Sequence, residues 1–407
     1  MSLLDWVWQI YCLIFCAAWI FGMFYAHWIY RQLPFFADQQ PEEPESWPLL
    51  SMVIAACNEE HTIEPALRSL LAEDYPHLEI IVVNDRSTDQ TGAIIDSFSQ
   101  IDNRVHPIHI DQLPEGWLGK VHALEAGRKM AQGELLLFTD ADVHFEKGTL
   151  KKAVALMQRD QWDHITMIPK PLTSSFLFEV VILAFGEMFL AAAQAHKVQD
   201  PKSRAFMGCG AFNLVRKTSL DQTEGFEWLR LELADDVGLG LLLKRCGFRS
   251  AFFIAEEALS LVWYPSLGAM FKGLEKNSFA VMSRFSLWIM AGQVLLIWAF
   301  VLAPLLAFVP ILGSSLWWAG ASVLAGMVFH ALLKTRMASQ RDPAVTGQDQ
   351  LRAIGASLLV PIGHLILTAI ILRAGFLCWR RGDIQWRTTF YETEQLKRGQ
   401  RLKPPFM

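Results

Sequence analysis

Charged side chains are scarce in this sequence, at 19% of 407 residues against roughly a quarter in soluble domains. The 36 basic and 41 acidic residues leave a net charge of −5, which excludes a strongly basic nucleic-acid binder. Cysteine is also sparse: residues 12, 16, 57, 209, 246 and 378 form no CxxC pair and no dense framework. A disulfide-stapled scaffold is thereby excluded, and the six read as reduced thiols in or near the cytosol. No internal repeat is evident. Disorder is excluded by the 52% hydrophobic content, and a length of this order predicts two or three structural units.

The missing charge is concentrated in three places. Trp6 to Tyr30 is an uncharged run of 25 residues, longer than the roughly 20 that cross a bilayer as a helix. Trp6, Trp8, Trp28 and Tyr30 mark its ends as interfacial aromatics do, and without a basic leader or a small-residue cleavage site it reads as a retained anchor, not a signal peptide. Between Arg284 and Lys334 lie 49 residues without Asp, Glu, Lys or Arg, enough for two spans with a turn at Gly313-Ser314-Ser315. Ala353 to Leu372 is uncharged but holds Pro361 and Gly363, so it is expected to enter the membrane and return, which leaves the basic C-terminal tail cytosolic. Phe176 to Ala195, interrupted by Glu179 and Glu187, reads as interfacial, and so does the aromatic stretch from Trp263 to Phe271. The expected organisation is an anchor over 1–33, a Pro- and Glu-rich linker over 34–48, a catalytic domain over 49–283, membrane segments over 284–378 and a tail over 379–407. The protein is then a multi-pass inner-membrane protein with a cytosolic catalytic domain.

Residues 49–283 alternate short β-rich runs with amphipathic stretches. Strands are expected at Leu49–Ala55, Glu79–Val83, Val105–Ile110, Glu134–Phe138 and His164–Ile168. Helices are expected at Thr62–Leu71, Thr91–Ser99, Leu118–Ala131 and Gly148–Gln158. The alternation predicts an α/β fold with a mostly parallel sheet and ligands outside the carboxyl ends of its strands. Three loops qualify: Cys57-Asn58-Glu59-Glu60, Asn84-Asp85-Arg86-Ser87-Thr88-Asp89 and Thr139-Asp140-Ala141-Asp142.

Asp140 and Asp142, at i and i+2 after an apolar strand, can both reach Mg²⁺ or Mn²⁺, hard cations that bridge to phosphate oxygens; an acidic surface turn is the plain alternative. Asp85 follows the run Ile80-Ile81-Val82-Val83, where a carboxylate can accept from a base or ribose, while Ser87, Thr88 and Asp89 read as helix caps. Lys120 opens a helix and could reach a diphosphate. Asp235-Asp236 opens another helix, as a cap or as a repelling pair of which one acid can serve as general base.

Together these residues resemble the family 2 glycosyltransferases, whose GT-A fold binds nucleotide sugars, and specifically the membrane-anchored members that glycosylate lipids. The resemblance rests on five motifs in register: Ala-Cys-Asn-Glu-Glu, Asn-Asp-Arg-Ser-Thr-Asp, Gly-Lys-x-x-Ala-Leu, Asp-Ala-Asp and Asp-Asp-Val-x-Leu-Gly. It implies that Ala56, Glu59 and Asp85 hold uridine, that Lys120 and Asp140 lie near the donor, and that Asp142, beside Asp140, binds the metal. Asp236, the second acid of its pair with Asp235, becomes the base that deprotonates the acceptor. Gly208, Cys209 and Gly210 look like the loop beside the transferred sugar. The Gln-x-x-Arg-Trp element of processive synthases is absent, with Phe271 to Asn277 in its place, and Ile384 to Tyr391 resembles a Trp-Arg-Gly-Arg-x-Tyr tail. The implied activity is inverting transfer from a UDP-sugar to a membrane lipid, with a divalent metal. The alternatives are a processive polysaccharide synthase and a silent nucleotide-sugar receptor.

Overall fold

A computed structural model describes residues 3–275, 278–309, 316–341, 346–386 and 389–402. The chain forms two compact units, each assembled from separate segments. One comprises Leu33–Leu172, Ala193–Trp263 and Gly382–Met407, the other Met1–Gln32, Thr173–Ala192 and Tyr264–Arg381.

In the first unit the strands run β1 (Leu50–Ala56), β2 (Leu78–Asp85), β3 (Val105–Ile110), β4 (Leu135–Asp140), β5 (Val143–Phe145), β6 (His164–Ile168), β7 (Lys170–Pro171), β8 (Asn213–Arg216), β9 (Ser250–Ile254) and β10 (Leu259–Leu261). Seven form one sheet in the order β3-β2-β1-β4-β8-β6-β9, parallel except where β8 runs against β4 and β6. Strands β5, β10 and β7 form a second, smaller sheet. The fold is the expected GT-A-like mixed α/β class with a mostly parallel sheet.

Ile80, Ile81, Val82 and Val83 are all buried, as continuous apolar strands are when helices cover both faces. On one face Leu50, Met52 and Ile54 share a core with Ile63, Leu67 and Leu70 of the helix Ile63–Leu71 and with Val154 and Met157 of the helix Thr149–Arg159. On the other the helix Gly119–Met130 comes so close that a side chain at Gly127 would run into Val53 and Val83. Parallel register sets Ala56 beside Asn84 and Ala55 beside Asp140, so three strands end at one edge. The linker expected from residue 34 starts later in structural terms: Phe36 is buried, its N–H donates to Ile254 O at 2.8 Å, and Lys152 stands over its ring.

Among the described residues, four helices are long and apolar enough to cross a membrane: Leu3–Gln32, Phe176–Lys197, Leu287–Leu306 and Val360–Arg381. Phe176–Lys197, expected at an interface, is among them by length and composition, and its acids are paired. Glu187 meets Lys334 and Glu179 meets Arg352, each at 2.6 Å. The helix Trp317–Arg341 fills the rest of the uncharged run but carries Lys334, Arg336 and Arg341; the turn at Gly313-Ser314-Ser315 lies outside the described residues. The break expected at Pro361 and Gly363 falls instead at Leu359, between the helices Gly347–Leu358 and Val360–Arg381. Pro361 sits in a first helical turn, where its missing N–H costs nothing, so the helix runs on unbroken through Gly363. This corrects the expected re-entrant turn. Where a Gln-x-x-Arg-Trp element was missed, Glu275 pairs with Arg373 at 2.7 Å and Arg381 at 3.2 Å, and Lys276 and Asn277 lie outside the described residues.

Replacing Gly127 by Val overpacks the seam between sheet and helix and should cost about 1–3 kcal/mol. Thermal unfolding of the full chain in detergent should show a lowered midpoint, and an unchanged midpoint would contradict this packing.

Candidate active site

Two strand-exit loops are stitched together by their own polar side chains. The Asn58 N–H donates to Ser87 Oγ at 3.0 Å and the Thr88 N–H to Asn58 Oδ1 at 2.8 Å. The Glu59 N–H donates to Thr91 Oγ1 at 2.7 Å and the Glu60 N–H to Asp89 Oδ2 at 3.1 Å. Ser87, Thr88 and Asp89, expected as helix caps, are therefore mainly cross-loop links, although Asp89 Oδ1 also accepts from the Thr91 N–H at 3.0 Å. Asn58 and Arg86 both take left-handed backbone, at φ 55° and 54°, an unfavourable conformation that this stitching holds in place. Ala56 and Asp85 are buried at the strand ends. Both oxygens of Asp85 accept from Arg86, Nε at 2.7 Å and Nη2 at 3.1 Å. Glu59 Oε2 accepts from Thr62 Oγ1 at 2.8 Å, so Thr62 orients this carboxylate and does not cap the following helix.

Lys120 is the centre of the charge arrangement. Its Nζ lies 2.6 Å from Asp140 Oδ1 and 3.7 Å from Asp235 Oδ2. Burial opposes the ammonium charge, but Asp140, Asp235 and Asp236 together outweigh it and hold the amine above its ordinary proton affinity. The cavity that these groups line together with Leu124, Phe138, Phe226 and Leu239 is about 10 Å³, room for one water, so the cluster is packed and not hollow.

Asp142 is pushed towards its neutral form. Burial, then the charges of Asp140 and Glu59, raise its proton affinity above the usual carboxylate range. Among the described residues no group of three or more His, Cys, Asp or Glu could hold a metal by itself. The Asp140–Asp142 pair fits a divalent cation as a partial site: both donors are hard oxygens, and a cation held between them would relieve the repulsion that adds to the burial of Asp142.

The loop carrying Gly208, Cys209 and Gly210 joins the two acidic pairs. The Asp140 N–H donates to Gly210 O at 2.9 Å, and the Gly210 N–H donates to Asp236 Oδ2 at 2.8 Å. Asp236 Oδ1 accepts from the Val237 N–H at 2.8 Å. Both oxygens of Asp236 are thus oriented while its side chain stays only half-buried; Asp235, 4% exposed, is turned inward to Lys120. A side chain on Gly208 would meet the backbone carbonyl of Asp236, so the helix Asp235–Arg245 approaches this loop backbone to backbone. Burial, then Asp236, push the Cys209 thiol up to about 12, and it stays protonated. Among the described residues no cysteine is disulfide-bonded.

The site also contains residues that the sequence did not single out. Arg86 holds Asp85, Asn213 Nδ2 donates to Cys209 O at 2.9 Å, and Glu232 is buried three positions before Asp235. A glutamate inside the apolar run Leu231-Glu232-Leu233 was the signal available in the sequence.

The family model Glycosyl transferase family 2 matches residues 51–222. Among curated proteins the chain is 26% identical over 204 residues to a putative teichuronic acid biosynthesis glycosyltransferase of Bacillus subtilis, covering 49% of this chain and 74% of that protein. It is 22% identical over 251 residues to the 4,4'-diaponeurosporenoate glycosyltransferase of Staphylococcus haemolyticus, covering 61% and 66%. Among solved structures it is similar to a mannosyltransferase from Pyrobaculum calidifontis in complex with GDP-Man and Mn²⁺, with TM-score 0.52, 18% identity, and 92% of this chain and 99% of that one covered. The segment 51–222 spans the stitched loops, Lys120, the Asp140–Asp142 pair and the glycine loop, so the match to the family 2 glycosyltransferases falls on the residues that build this site.

Proposed function

We propose that the enzyme transfers a sugar, with inversion, from a uridine diphosphate sugar to a hydroxyl group of a membrane lipid. The observation that carries this reading is the hydrogen-bonded sequence from Asp140 through Gly210 to Asp236, which fixes the donor-side carboxylates and the proton acceptor at one spacing. Asp85, Ala56 and Glu59 receive the nucleoside at the stitched loops. Lys120 meets the diphosphate, whose oxygens compete with Asp140 for the ammonium. A divalent cation held by Asp142 and Asp140 would offset the negative charge on the departing diphosphate. As the acceptor oxygen bonds to the anomeric carbon and the bond to the diphosphate breaks, Asp236 takes the acceptor proton. Asp235 keeps Lys120 in place and stays out of the proton transfer.

A lipid acceptor is supported by chain order, since membrane-length helices precede and follow the catalytic segments, and by the relative named for transfer to diaponeurosporenoate. The same helices and the uridine nucleotide favour a cytosolic catalytic unit in the inner membrane. Comparing lipid extracts of cells with and without the gene by mass spectrometry tests the acceptor: a glycolipid should disappear with the gene, and unchanged lipid profiles would refute the assignment.

Asp142→Asn keeps the side-chain shape but loses the charge that holds a hard cation, so transfer should fall at least a hundredfold and the Mg²⁺ dependence of UDP binding should vanish. Wild-type transfer at full rate in excess chelator would contradict this. Asp236→Asn should lower kcat by 10²–10⁴, the range of lost proton-transfer catalysis, with donor KM within about threefold of wild type. Asp235→Asn should instead weaken donor binding through Lys120. An equal fall in kcat for the two variants would remove Asp236 as the base.

A further inference from the structure

The C-terminal segment of the catalytic unit is not a free basic tail. Asp383–Trp386 and Thr389–Glu392 pair as an antiparallel hairpin, a short helix Thr393–Gly399 follows, and Leu396 and Leu402 are buried. Arg387, Thr388 and Lys403 lie outside the described residues. Two ends of this segment bond to two parts of the site. At the hairpin, the Tyr391 hydroxyl accepts from the Gly119 N–H at 3.2 Å, one residue before Lys120, and Tyr391 is 6% exposed. Thr389 Oγ1 accepts from Arg86 Nη1 at 3.4 Å, on the guanidinium that grips Asp85. Farther along, Glu232 Oε2 accepts from the N–H groups of Arg401 at 2.6 Å and Leu402 at 3.0 Å, while Arg401 Nε donates to Trp228 O at 3.0 Å. Glu232 Oε1 also accepts from the Ala234 N–H at 3.3 Å, immediately before the Asp235–Asp236 pair.

These contacts do more than fill space. Tyr391 lies against the first N–H of the helix that presents Lys120, and Thr389 limits where Arg86, and through it Asp85, can point. A tyrosine kept only for its bulk needs no hydroxyl partner, yet this one is buried with its oxygen on a helix-terminal N–H. Glu232 is a buried carboxylate whose partners are backbone N–H groups, an arrangement that fixes the chain leading into the base helix.

We propose that Asp383–Leu402 is a positioning strap of the transferase site, in which Tyr391 and Thr389 set the donor-binding residues Lys120, Arg86 and Asp85, and Arg401 and Leu402 set Glu232 ahead of Asp235 and Asp236. The proposal rests on the reading of Asp85 and Lys120 as donor contacts. Tyr391 and Thr389 act through other residues and touch no reacting atom.

The test uses the full chain in detergent with Mg²⁺, titrated calorimetrically with UDP and with GDP, together with steady-state transfer. Tyr391→Phe removes only the hydroxyl and should raise donor KM and the dissociation constant for the bound nucleotide about fivefold, the loss of one modest hydrogen bond. Acceptor KM and kcat should stay within a factor of two. Thr389→Val should act in the same direction and Thr389→Ser, which restores the hydroxyl, should return to wild type. Unchanged donor affinity in both Tyr391→Phe and Thr389→Val would overturn the strap. So would a fall in melting temperature accompanied by equal losses for donor and acceptor, the pattern of a merely structural role. Failure of the wild type to bind either nucleotide would instead overturn the donor reading, and the strap with it; binding by the wild type with indifferent variants defeats the strap alone.

Discussion

The half-buried ammonium of Lys120 is the constraint around which the catalytic unit is arranged. Without it Asp140, Asp235 and the nearby Asp236 would repel one another at the edge of an apolar sheet, where water screens poorly. With it, acids from two distant stretches of chain can share one site. The parallel register of β1, β2 and β4 supplies the other half of the arrangement, because it delivers Ala56, Asp85 and Asp140 to one edge without any side chain having to specify the alignment.

Much of this was legible because the relevant signals are local. An apolar strand that ends in two carboxylates, a Gly-Lys pair at a helix start and the alternation of strand and helix each occupy about ten residues. The rule that ligands bind beyond the carboxyl ends of parallel strands then converts those runs into a site. The burial of both sheet faces was likewise readable from Ile80 to Val83.

What stayed hidden depends on partners far away in the chain. Nothing in Ser87-Thr88-Asp89 reveals that these residues will bond across to Asn58 and Glu60, so capping was the natural reading. Antiparallel β8 is four residues long and sits between elements that precede it, which no periodicity announces. The acids of Phe176–Lys197 looked like evidence against a membrane-length helix because Lys334 and Arg352 are more than 140 positions on. Pro361 misled for a different reason: proline marks a helix start as well as a break, and the sequence does not say which.

The division of the catalytic unit into three stretches also sets an order of assembly. Residues 383–402 are synthesised after all four membrane-length helices, yet Leu402 is fully buried and Glu232 takes two of its hydrogen bonds from this last stretch. The nascent chain therefore carries a complete sheet and an incomplete site until its final membrane helix has been made. If that stretch positions the donor site as proposed, the site is completed only after the membrane-length helices have been made, which separates catalytic maturation in time from the folding of the sheet.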